Sequence, residues 1–132
     1  MAKKSELKAK TIKEDTVIKS LSEIIIETIQ DKKGLDIVVM DLHALQNSLF
    51  DQFIICSATS KPQSDTIVDS IEFEVKKKLG ILPKNIEGTD NATWCVMDYF
   101  NILVHVFNPE SRTFYQLEKL WADAELKVIE NV

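Results

Sequence analysis

The sequence predicts a single α/β domain of the α+β kind, a five-stranded mixed sheet with flanking helices. Three observations point there. The chain has 132 residues, enough for one domain around one core. Hydrophobic residues make up 45% and charged residues 28%, a globular balance that offsets ordering entropy. Apolar spacing alternates between helical and strand periods in the order α-β-β-α-β-β-β-α.

Residues 1–15 are polar and carry Lys3, Lys4, Lys8, Lys10 and Lys13. They read as a flexible, solvated start, with an RNA-touching arm as the alternative. A helix is expected from Asp15 to Lys33, because Val17, Ile18, Leu21, Ile24, Ile25, Thr28 and Ile29 recur at helical spacing. Asp15 can cap it and Gly34 suits a left-handed stop. Many of these residues are β-branched, so tertiary packing must supply most of the helix's stability.

Leu35 to Leu42 reads as a strand apolar on both faces, and Phe50 to Ala58 as a second. The link between them is too short for a crossover, so they are expected to be antiparallel neighbours. Ser60 can cap a helix whose first turn holds Pro62 and Gln63, and Gly80 ends it. Its stripe is Ile67, Val68, Ile71, Val75 and Leu79, while Lys76, Lys77 and Lys78 form a solvated last turn near the negative end of the helix dipole. A short extended piece, Asn85 to Glu87, should be reached by a βαβ crossover. Thr93–Tyr99 and Ile102–Phe107 then form a hairpin. Asn108 and Pro109 start a last helix with Phe114, Leu117, Leu120 and Trp121 on one side, Trp121 in the core. The domain is placed at 16–121, and 122–132 is left as a tail of no clear period.

Composition excludes several functions. A net charge of −5 disfavours binding to nucleic acid through phosphates and suits a basic protein partner. No apolar run approaches the roughly 20 residues of a membrane span, and the N-terminus has no apolar signal core. A cytoplasmic protein is expected. Cys56 and Cys95 fit either a disulfide or two buried free thiols, and a reducing compartment favours thiols.

Catalytic machinery is hard to find. Three glycines form no phosphate-cradling loop, and two histidines and two scattered cysteines match no zinc motif. Ser57 has no evident base. The strongest enzymatic alternative is a divergent nucleotidyltransferase with Mg²⁺ on Asp98, which needs a second carboxylate two residues away. Val96 and Phe100 stand there instead, and Asp36 and Asp41 are five apart, on opposite faces of a regular strand. No catalytic, cofactor or metal residues are assigned. His105 reads as a strand histidine, structural or interfacial rather than a general base. Trp94 alternates with Val96 and Asp98, a mixed face that fits interface and core equally.

The C-terminal third resembles a known family. His105-x-Phe107-x-Pro109-Glu110-x-Arg112-x-Phe114-Tyr115-x-Leu117-Glu118-x-Leu120-Trp121 is similar to the signature of the RsfS/Iojap ribosomal silencing factors. Upstream, Ile86-Glu87-Gly88 with Trp94 and Asp98, and Phe53-Ile54-Ile55-Cys56-Ser57 with Thr59, Ser60 and Gln63, resemble further family segments. The likeness covers about residues 16 to 121. It departs at the hairpin turn, where relatives place Gly-Asp and this chain has Phe100-Asn101. Asn101 tolerates a positive φ, and Phe100 should be exposed there or covered by a partner.

The resemblance implies a nucleotidyltransferase-like fold without catalytic carboxylates and without a cofactor. It also implies binding to the large ribosomal subunit through its ribosomal protein fourteen, sterically blocking the small subunit and repressing translation. Contact residues are expected on the last strands and their hairpin: Trp94, Met97, Asp98, Tyr99, His105 and Phe107, with Arg112 and Tyr115 nearby. Phe100 and a strand edge also offer a route to a homodimer.

Overall fold

The computed structural model describes residues 4–42, 45, 48–120 and 124–130, with residues 4–15 described by their backbone alone. Helix α1 spans Lys4–Asp31, strand β1 Leu35–Asp41, β2 Gln52–Ser57 and α2 Lys61–Leu79. They are followed by β3 Asn85–Glu87, β4 Trp94–Asp98, β5 Ile102–Phe107, α3 Pro109–Tyr115, α4 Leu117–Leu120 and β6 Glu125–Val128. The sheet is mixed, as the patterning implies, but it has six strands rather than five, ordered β3-β4-β5-β2-β1-β6. The sixth comes from the segment read as a tail. Glu125–Val128 pairs antiparallel with β1, and its four residues are all exposed, so no burial pattern marks them in sequence.

The strands β1 and β2 pair antiparallel, and β4 and β5 form the expected hairpin. The crossover after β2 carries the chain through α2 to the far edge, so β5 becomes the parallel neighbour of β2. This register settles the cysteine alternatives. Cys56 and Cys95 lie opposite Val106 from either side. Two strand spacings are about 9.5 Å, beyond the roughly 7 Å limit for a disulfide. Both thiols are free and buried.

Helix α1 begins at Lys4 instead of Asp15, since KSELKAKTIKED contains strong helix formers and no breaker. At its C-terminus the left-handed residue is Lys33 (φ 64°), not Gly34. Gly34 is needed for closeness instead, because a Cβ there would collide with Ile29 Cγ2. Helix α2 is capped as expected. Ser60 accepts from the Gln63 N–H at 3.2 Å, and Gly80 closes the helix at φ 68°. The Gln63 side chain also joins the two helices, accepting from the Thr59 N–H (2.8 Å) and donating to the Lys33 carbonyl (2.8 Å).

The helices α1 and α2 cover one face of the sheet. Ile25, Ile29, Ile67, Ile71 and Val75 pack there with Ile37, Ile54, Met97, Val104 and Val106. The other face buries a smaller cluster of Met40, Leu42, Phe53, Ile55, Phe107, Leu117 and Ala124. The expected single last helix is two helices. Gln116 turns left-handed (φ 47°) and ends α3, so Phe114 (79% exposed) and Leu120 (73% exposed) leave the core while Leu117 stays in it. Trp121 lies outside the described residues.

Candidate partner-docking surface

Strand alternation brings Trp94 and His105 to the less covered face of the sheet, beside Phe107. The half-buried Trp94 ring stacks on Phe107 at 5.0 Å between centroids and lies 4.6 Å from Tyr115. Phe53 meets His105 edge-on at 4.8 Å, and Phe114 meets Tyr115 edge-on at 5.1 Å. The result is a continuous aromatic array running from the sheet out to α3, buried at Phe53 and exposed at Phe114.

A hydrogen bond fixes the middle of the array. The Trp94 indole Nε1–H donates to His105 Nδ1 at 3.0 Å. The imidazole is therefore neutral, with its proton on Nε2, which is buried and has no hydrogen-bond partner. Burial pushes His105 down to about 4. A base so weakened, with one nitrogen taken by an indole and the other enclosed, is a structural acceptor that orients Trp94.

The eight expected contact residues divide. Trp94, His105, Phe107 and Tyr115 share the array, and Asp98 lies on the same strand face as Trp94. Met97 and Tyr99 do not join them. They alternate to the opposite face of β4 and are buried beneath the helices, so they offer a partner no surface. Asp98 Oδ1 accepts from the Phe100 N–H at 2.8 Å, which ties the hairpin turn. The positive φ expected of Asn101 falls on Phe100 instead (φ 72°), whose ring is 58% exposed.

Arg112 points inward rather than outward. It donates to the Asp36 carbonyl (2.6 Å) and Ser57 Oγ (3.0 Å) and pairs with Glu118 (2.8 Å). Its partners were not legible in the sequence. Arg112 and Glu118 are six apart across a helix break, and Asp36 sits at a bulge in β1 with φ 51°. That bulge also breaks the regular alternation assumed between Asp36 and Asp41. Phe53, read only as a strand residue, belongs to the array as well.

Among the described residues, no group of three or more His, Cys, Asp or Glu side chains could hold a metal ion. No described helix is long and apolar enough to cross a membrane. The fold is a mixed α/β sheet with an aromatic array on one face, fixed at its middle by the Trp94–His105 hydrogen bond. The chain belongs to the ribosomal silencing factor family, whose description, ribosomal silencing factor during starvation, matches residues 14–132. It is 36% identical over 108 residues to the ribosomal silencing factor RsfS of Bacillus subtilis, covering 82% of this chain and 90% of that one. To RsfS of Haemophilus influenzae it is 39% identical over 103 residues, covering 78% and 99%. A crystal structure of a Chromobacterium violaceum protein superposes with a TM-score of 0.74 at 28% identity, covering 87% of this chain and 95% of the other. The family's description and these relatives' names are those of ribosomal silencing factors, which regulate translation.

Proposed function

We propose that this protein binds the large ribosomal subunit through its ribosomal protein fourteen and blocks joining of the small subunit by occupying the shared face. The observation that carries this reading is the aromatic array on the sheet face the long helices leave open. Trp94 and Tyr115 are its contact residues, with Asp98 at the hairpin end; His105 and Phe107 are buried behind them and hold the Trp94 ring in place. Aromatic anchors in a desolvated patch are what a protein partner binds most strongly. The net charge of −5 adds long-range attraction to a basic ribosomal protein. Such a factor works in the cytoplasm, where subunits exchange, and acts by exclusion without consuming a substrate. A nucleotidyltransferase reading has no support from the site: Asp98 is engaged in the turn, and no second carboxylate lies beside it on β4.

The test is subunit reassociation in a sucrose gradient. Excess protein should sediment with free large subunits, not with free small ones, and should reduce the joined fraction. Identical profiles with and without the protein, or co-sedimentation with small subunits alone, would refute the proposal.

A further inference from the structure

We propose that Arg112 is the positioning residue of this docking surface, latching the α3–α4 corner onto the β1 bulge so that Tyr115 is held against Trp94. The proposal rests on the docking reading above and adds the residue that preorganises the surface. Its starting point is a deficit. Helix α3 has only seven residues and buries none of them. A helix that short has no stability of its own and is normally held by an apolar face, which α3 lacks. Yet it carries Tyr115 to 4.6 Å from the Trp94 ring.

Arg112 supplies the missing attachment. One guanidinium nitrogen, Nη1, donates to the Asp36 carbonyl (2.6 Å) and to Ser57 Oγ (3.0 Å). The Nε atom donates to Glu118 Oε1 at 2.9 Å, and Nη2 forms an ion pair with the same oxygen at 2.8 Å. A single side chain thus joins β1, β2 and α4 to α3. The planar fork is required, because a lysine ammonium is a point charge that cannot match three acceptor directions with the same rigidity. The Arg112 side chain is only 15% exposed, and its bonds to Ser57 and Glu118 are part-buried, while the bond to the Asp36 carbonyl lies at the exposed edge.

The receiving end is shaped for it. Asp36 adopts φ 51°, a conformation that costs a non-glycine residue, at the register shift between Leu35 and Val38. Its carbonyl accepts one of the latch bonds instead of continuing a regular ladder. Arg112 and Tyr115 are three apart in α3, so they share one side of that helix, and fixing the first fixes the second. Loss of the latch leaves Leu117 as the buried anchor of this corner. Tyr115 then samples positions off Trp94, and a partner must pay to order it.

The test uses the full chain, purified large subunits and ¹H–¹⁵N spectra. The Trp94 indole N–H resonance is assigned by its disappearance in Trp94→Phe. Arg112→Ala should move that resonance, keep amide-exchange protection in β2 and β5, and weaken large-subunit binding about tenfold. Arg112→Lys should not restore either property. An unmoved indole resonance overturns the proposal. So does weakened binding with an unmoved resonance, since Arg112 would then touch the partner directly. If Trp94→Ala binds large subunits like the wild type, the docking reading fails, and the resonance still decides the latch. Should Arg112→Ala not fold, Glu118→Gln removes the charged acceptor alone and should shift the same resonance in the same direction; no shift refutes the latch.

Discussion

Acid should destabilise this protein through His105, and the size of the effect follows from where the ring sits. The imidazole is 3% exposed and faces the rings of Phe53, Trp94 and Phe107. Burial lowers its pKa from 6.5 to about 4. Between those values the unfolded chain binds the proton and the folded one does not. Stability is therefore complete above about 6.5 and is lost as the pH falls toward 4. From about pH 7 to about pH 5 the loss attributable to this ring is about 2 kcal/mol. Protonation must also occupy Nδ1, the atom that accepts the Trp94 indole, so the same step releases Trp94 from its orienting bond. The assay is urea unfolding at both pH values, followed by tryptophan fluorescence, on the wild type and His105→Leu. Other titrating groups are common to both chains, so the difference between the two isolates His105. The wild type should lose about 2 kcal/mol more than the variant. Equal losses in the two chains would refute the reasoning.

Three further outcomes are expected. Phe100→Gly should stabilise the hairpin by about 1 kcal/mol in thermal unfolding, because φ 72° suits glycine and the exposed ring gives up little packing. Gly88→Ala should cost about 3 kcal/mol or more in the same measurement, since φ is 84° and a Cβ would strike the Trp94 carbonyl oxygen. Cys56, whose thiol is pushed up to about 12 by burial, should resist a thiol reagent at neutral pH until urea unfolds the chain; rapid labelling of the native protein at Cys56 would place it outside the core.

Local chemistry made much of this fold legible. Ser60, Pro62, Gln63 and Gly80 bound α2 because capping depends on side chains within four residues of the helix end. Asn108 and Pro109 start α3 for the same reason, with Asn108 accepting from the Ser111 N–H at 2.8 Å. Strand alternation placed Trp94 together with His105 and Phe107, the buried rings that support it beneath the candidate surface. The same alternation should have removed Met97 from the contact set, since it is odd where Trp94 and Asp98 are even. The end of the last helix was less legible. A stripe of Phe114, Leu117 and Leu120 fits one amphipathic helix, yet the backbone turns left-handed at a glutamine, which has no particular preference for that conformation.

What the sequence by itself determined was the set of short-range decisions: most element starts and stops, the hairpin, the antiparallel β1–β2 pair, and the family to which the chain belongs. The tertiary structure decided everything that depends on residues far apart meeting. Glu125–Val128 became a strand only because the edge of β1 offered unpaired backbone groups. Asp36 takes a strained φ where its carbonyl meets Arg112, 76 positions later. His105 became a neutral acceptor because rings from β2, β4 and β5 exclude water around it together. The physical reason is common to all three. Capping and alternation are settled within a few residues of the backbone, whereas desolvation, edge pairing and long-range hydrogen bonds exist only once the sheet has assembled.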